Sequence, residues 1–282
     1  MFELIFPEAS GSSFLFWFDS VFVALLGLCL GSFSSAIIYR VPLGISWVKK
    51  GARSACSSCG HTLDFFDLIP LFSWLLNRGR CRHCKQRVSP LYPALELISA
   101  VLCLFVYFVY AGGLAEKFLI VASVPFLLAL IVIDIRHKIL PNHLVLIVGT
   151  LGILFVFAQI FAPGEDFEVF FLYHLCGAFI FGGFAYFLGV LMQKLLKKQA
   201  LGMGDVKFFA VAGLWLGVLN LGVFCLLAGV FGVLFSLFWM WRFKENHFPF
   251  GPALIASFFV ILTLDGSLFW QKALESLGGV LG

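Results

Sequence analysis

Charge is what this 282-residue chain has least of: 12% of its residues are charged, against 61% hydrophobic. Soluble domains carry roughly a quarter charged residues, so this sequence has too little polar surface to cover itself in water. That excludes a globular protein of an aqueous compartment and calls for a polytopic membrane protein. A basic n-region is missing as well. Met1 to Ser13 contains Glu3 and Glu8 but no Lys or Arg, and no clear small-residue cleavage site follows the first apolar run. This argues against a cleaved signal peptide, and the first span is expected to be retained. No glycine-rich nucleotide-binding loop is present either.

What the chain does have is apolar runs. Windows of about 20 residues mark eight candidate spans, an all-α arrangement, near 14–38, 93–111, 117–134, 142–162, 169–192, 206–219, 221–241 and 251–270. The sixth is short for a full crossing, and the turn Leu219-Asn220-Leu221-Gly222 after it is tight. Glycines 177, 182, 183, 213, 217, 229 and 232 read as sites of close helix packing. Of the 19 Lys and Arg residues, 17 fall in alternate connections: Arg40 to Arg87, Arg136 to Lys138, Lys194 to Lys207, and Arg242 to Lys244. The other side keeps Lys117 and Lys272 beside acidic residues such as Glu116, Glu165, Asp166, Glu168 and Glu275. By the positive-inside rule the basic connections are cytoplasmic and both termini lie on the outer side. The loop from Arg40 to Arg87 carries nine basic residues against Asp64 and Asp67. It reads as a topology signal that also favours anionic membrane lipid, not as a nucleic-acid patch.

Eight cysteines divide into two populations. Cys29, Cys103, Cys176 and Cys225 stand singly in apolar runs, where a free thiol acts as a small hydrophobe. Cys56, Cys59, Cys81 and Cys84 form two Cys-x-x-Cys pairs separated by 21 residues in the polar loop. Two such knuckles can complete a tetrahedral Cys₄ zinc site, closed to water and therefore structural. A reducing cytoplasmic loop disfavours disulfides, and a redox dithiol is the competing reading. His61 and His83 are nearby but expected to stay outside the ligand set. The resulting division is 1–39 as the first span, 40–91 as the zinc-binding loop and 92–282 as a transmembrane core.

Carboxylates within or at the edge of apolar runs are few: Asp19, Glu96, Asp134 and Asp205. Each costs roughly 2.5–3.5 kcal/mol at a helix centre, which makes each a candidate functional group. Asp19 lies near an outer helix end and reads as solvated. Asp134 closes the third span and Asp205 opens the sixth, so the topology places both at the cytoplasmic interface at similar depth. Two carboxylates that approach closely share a proton, an arrangement suited to activating water against a peptide carbonyl. Gly202 and Gly204 would let the chain turn and a substrate backbone approach. The plainer reading pairs each Asp with a neighbouring cation, Arg136 or Lys207, as an ordinary helix end.

Several stretches converge on one family. GSFSSAIIYRVP (31–42), DLIPLFSWLLNRGRCRHC (67–84) with the preceding cysteine pair, SPLYPALELISA (89–100), DIRHKILPN (134–142), GMGDVK (202–207) and FPFGPAL (248–254) occur in order. Together they resemble the type 4 prepilin peptidases, aspartic proteases of the bacterial inner membrane. The resemblance implies that Asp134 and Asp205 are the catalytic aspartates, that Gly202 and Gly204 complete a GxGD motif, and that Cys56, Cys59, Cys81 and Cys84 bind zinc. It also implies two activities: cleavage of the basic leader of prepilins or pseudopilins, as in type IV pili and type II secretion, and N-methylation of the new terminus by S-adenosylmethionine. The amino-terminal half is associated with methylation, and Glu96 is its candidate contributor. Ser34 and Ser35, Ser57 and Lys85 depart from the family's usual Leu-Asn, proline and glycine. The alternatives are a peptidase without methylation, or a non-enzymatic assembly or transport protein using the two aspartates as an ion site.

Overall fold

The structure, a computed structural model, describes residues 13–45, 54–56, 58–160, 167–197, 201–244 and 248–265. The amino-terminal segment expected to be retained, and several charges on which the expected topology rests, among them Glu3, Glu8, Lys49, Lys50, Arg53, Glu165, Asp166, Lys272 and Glu275, lie outside the described residues.

Helices carry almost all of the regular structure: α1 (Ser13–Arg40), α2 (Phe72–Leu76), α3 (Leu91–Val109), α4 (Leu114–His137), α5 (Asn142–Ile160), α6 (Phe167–Leu196), α7 (Met203–Leu216), α8 (Leu221–Phe243) and α9 (Gly251–Asp265). Among the described residues there is no strand, only two isolated antiparallel bridges. The helices fall within a few residues of the eight apolar stretches, with α2 added inside the polar loop. Among the described residues, six helices are long and apolar enough to cross a membrane. The expected sixth span, α7, has 14 residues. At 1.5 Å per residue that is about 21 Å, short of a hydrocarbon core of about 30 Å. The turn after α7 is tight as expected. Gly217 takes φ +73° and leads into a 3₁₀ turn over Val218–Asn220.

The chain forms two compact units, one from residues up to 108 together with 124–129, the other from 109–123 and 130 onward. In the first, α1 meets α3 through glycines. A Cβ at Gly27 would lie 2.6 Å from the Ala100 Cα, and one at Gly31 would lie 2.5 Å from the Glu96 Cα. No side chain fits between these backbones, so the close approach depends on glycine.

In the second unit α6 packs most extensively on α7. A Cβ at Gly213 would lie 2.2 Å from the Gly177 carbonyl oxygen, so these helices touch backbone to backbone. Gly182 fits against Ala210, Gly232 against Phe250 and Gly217 against Tyr173 in the same sense, whereas among the described residues Gly183 and Gly229 face nothing within 4 Å and their small size is not used for helix packing. Trp215 anchors the core: its indole donates to the Val148 carbonyl at 3.0 Å, and its ring lies 4.7 Å from Phe155 and 5.9 Å from Phe258. The buried indole thus satisfies its one donor while offering its faces to aromatic packing.

Candidate functional site

In the first unit the cysteine loop is built from two copies of one local fold. Cys56 N–H donates to the His61 carbonyl and Gly60 N–H to the Cys56 carbonyl, while Cys81 N–H donates to Gln86 and Lys85 N–H to Cys81. The bridges Ala55–Thr62 and Arg80–Arg87 close the two knuckles at equivalent positions. Each knuckle needs a left-handed residue just after its second cysteine. Gly60 takes φ +70° there and Lys85 takes φ +61°. The position where Lys85 departs from the family's glycine is therefore one where glycine is conformationally cheaper.

This shared geometry turns all four thiols inward. The sulfurs of Cys56, Cys59, Cys81 and Cys84 lie within 4.8 Å of one another, and those of Cys56 and Cys84 are 3.9 Å apart. A tetrahedral zinc–thiolate site with bonds of about 2.3 Å separates its sulfurs by about 3.8 Å, so the donor set fits such an ion. Backbone N–H groups of Cys59 and Ser58 hold the Cys56 thiol down at about 6. At Cys84 the Gln86 backbone N–H acts in the same direction, yet desolvation and the three neighbouring thiols outweigh it and push the thiol up to about 11. A cation among the four sulfurs is what would let them ionise together. His61 and His83 pack ring against ring, 4.2 Å between centroids, and are not among the converging ligand atoms.

Glu96 is buried at the start of α3, and its Oε2 accepts the Leu71 backbone N–H at 2.7 Å. Leu71 itself takes φ +60°, a strained value for a leucine. Glu96 thus pins the loop at one of its positive-φ residues.

The second unit holds both aspartates. Asp134 lies in the last turn of α4, and Asp205 lies in the first turn of α7. Asp134 is buried, and its Oδ2 accepts the Gly251 N–H at 2.9 Å. Asp205 is half-buried, and its Oδ2 accepts the Gly202 N–H at 3.1 Å. Both approach Leu140, which lies against Gly204 beside Asp205 and against Gly251, the residue that holds Asp134. Each is held through one oxygen by a backbone N–H donor.

Leu140 and two glycines set this approach. A Cβ at Gly204 would come 3.0 Å from the Leu140 Cβ, and a Cβ at Gly251 would come 3.2 Å from Leu140 Cδ2 and 2.6 Å from Asp134 Oδ2. Neither Gly202 nor Gly204 has a positive φ. The turn expected of them is not a left-handed one, and Gly204 matters here through its lack of a side chain. Of the cations beside the aspartates, Lys207 donates to Asn142 Oδ1 at 2.8 Å and so is engaged elsewhere.

Gly251 is the site residue that sequence reasoning missed. It lies 117 positions from Asp134, and its signal was the FPFGPAL stretch, noted as a motif without a role.

Residues 25–110 match the family described as the bacterial peptidase A24 N-terminal domain, and residues 121–237 match the type IV leader peptidase family. A prepilin leader peptidase/N-methyltransferase of Pectobacterium carotovorum subsp. carotovorum is 34% identical over 84% of this chain and 90% of its own length. A protein of that name from Neisseria gonorrhoeae is 30% identical over 87% of the chain and 91% of its own. A type 4 prepilin-like proteins leader peptide-processing enzyme of Escherichia coli O78:H11 is 32% identical over 81% and 87%. No solved structure matches the chain.

Proposed function

The chain belongs to the type IV leader peptidase family, and from that premise we propose that Asp134 and Asp205 activate a water molecule to cleave the leader of a prepilin or pseudopilin. One observation carries this reading. Asp134 and Asp205, from helix ends far apart in sequence, flank Leu140 through Gly251 and Gly204, and each is held through one oxygen by a backbone N–H.

The chemistry follows from a shared proton. Two carboxylates that act on one water do not both ionise cheaply, so in this reading the pair holds one proton between them. The ionised member removes a proton from water as its oxygen attacks the scissile carbonyl carbon. The protonated member donates to the carbonyl oxygen; as the C–N bond then breaks, the proton taken from water passes to the leaving amine and the donating carboxylate takes its proton back from the hydroxyl, leaving the new carboxyl group. Gly251 and Gly202 keep the two acids oriented throughout, which is where their fixed hydrogen bonds matter.

Orientation is part of the proposal. The basic connections face the cytoplasm, the termini face the periplasm, and the aspartates work at the cytoplasmic side of the inner membrane. An apolar substrate helix can lie beside the spans with its leader still in the cytoplasm, which brings the scissile bond to the depth of the pair.

The same chain then N-methylates the exposed terminus. S-adenosylmethionine supplies an electrophilic methyl group for that step. Glu96 contributes to this half of the function, and Cys56, Cys59, Cys81 and Cys84 hold a structural zinc ion that shapes the loop around it.

Separate Asp134→Asn and Asp205→Asn variants test the peptidase. Each is expected to lower cleavage by at least about 10²–10⁴-fold while leaving membrane insertion intact. Normal cleavage by either variant would defeat the assignment.

A further inference from the structure

The stretch FFDLIPLFSWLL (65–76) puts six large apolar side chains on the surface of the first unit. Phe65, Phe66 and Leu68 come from a 3₁₀ turn over Phe65–Leu68. Phe72, Leu75 and Leu76 come from α2, where the i, i+3, i+4 spacing sets them on one face. Phe65 is 77% exposed and Leu76 81%. So many exposed apolar side chains together mark a contact with protein or with membrane. The crossing of the bilayer by α1 and α3 does not by itself cover them, because residues 65–76 belong to neither helix.

Two hydrogen bonds fix where this patch lies. The Leu71 N–H, at the start of α2, is held by Glu96. Glu96 stands five residues into α3, about 7.5 Å of helix rise inside the end of a membrane-capable span. The Trp74 indole donates to the Val88 carbonyl at 3.3 Å, three residues before α3 begins. α2 is therefore bound at its start and at its middle to the root of α3, not held out at the tip of the loop. Tyr39 at the end of α1 and Tyr92 at the start of α3 are both exposed, as aromatic residues at a headgroup level are.

The charge around the patch is of one dominant sign. Between residues 61 and 90 five exposed cations, Arg78, Arg80, Arg82, Lys85 and Arg87, stand against Asp64 and Asp67. Arg40 adds a cation at the end of α1, and His61 and His83 pack on one another beside the cysteines. Asp67 turns one oxygen back to the Asp64 N–H at 3.2 Å, while Asp64 is exposed next to Phe65. We propose that this surface docks on the membrane the chain itself crosses. The six apolar side chains enter the boundary between headgroups and acyl chains, and the cations face the phosphates of anionic phospholipid. The cysteine loop then lies on the bilayer between its two spans. A second protein could cover the apolar side chains, but a cationic patch already tied to the root of a span fits phospholipid.

Full-length protein in nanodiscs tests this. A photoreactive p-benzoylphenylalanine in place of Phe66, or in place of Leu76, should carry covalently bound phospholipid after irradiation in phosphatidylglycerol-rich discs. Intact mass reads the adduct, and metal content equal to wild type shows that the loop has kept its fold. By hydrogen exchange, wild-type peptides covering residues 65–76 should be more protected in phosphatidylglycerol than in phosphatidylcholine discs. Arg78→Gln should lower the protection by about fivefold in phosphatidylglycerol and leave it unchanged in phosphatidylcholine. Leu76→Asp, at a side chain with no packing to lose, should lower it in both. Adducts confined to protein, whether this chain or an added prepilin, would overturn the proposal. So would the absence of adducts, or wild-type exchange that is equal in the two lipids.

Discussion

The two units solve the same problem, holding polar groups at fixed positions, by opposite means. The cysteine loop is exposed, irregular and short-range: each knuckle is closed by hydrogen bonds within ten residues, and its sulfurs converge because the same local fold occurs twice. The aspartates sit in a helical unit whose order comes from distant contacts, such as Gly251 on Asp134 and Gly177 on Gly213. Local geometry can be undone by removing its ligand. Packed geometry is undone only by changing volume. The lesson is that the loop's chemistry should be separable from the peptidase by metal, and the peptidase should be sensitive to single methyl groups.

Metal removal is the largest expected effect and the one most able to break this contrast. Structural zinc contributes about 10–16 kcal/mol of apparent binding free energy in small zinc-dependent folds, so a loop of this kind should not persist without it. Purified protein should contain about one zinc ion per chain. Cys59→Ser, or a strong chelator, should abolish both metal content and methylation while leader cleavage continues. Equal loss of cleavage would show that the units do not function independently.

Gly251→Ala sharpens the contrast from the other side. Its Cβ would fall 2.6 Å from Asp134 Oδ2, so the carboxylate must move. A displacement near 1 Å at a reacting group costs about 10²-fold, and kinetic assays should find cleavage reduced by that order with zinc content unaltered. The smallest effect is Lys85→Gly. Removing a side chain from a left-handed position should stabilise the loop by about 1 kcal/mol, seen as a raised midpoint in chelator or denaturant titration, with no change in cleavage.

What was legible in the sequence follows the same division. The four cysteines could be read from spacing because both knuckles are local, and the eight apolar stretches from hydropathy because each helix has its own run. Asp134 and Asp205 could be paired only through topology, which placed them on one side at one depth. Gly251 was not legible, since nothing in its neighbourhood says that its N–H reaches residue 134. Neither were the contacts of Leu71 with Glu96 and of Gly204 with Leu140, which depend on how elements pack and not on any periodicity. Gly202 and Gly204 drew attention as turn formers, but their φ values are ordinary and the requirement at 204 is steric.

Intact-mass analysis of a purified prepilin incubated with the wild-type protein, with and without S-adenosylmethionine, tests the central claim most directly. The account predicts loss of the leader in both reactions and one added methyl group only when the donor is present. A prepilin that keeps its full mass in both would contradict it.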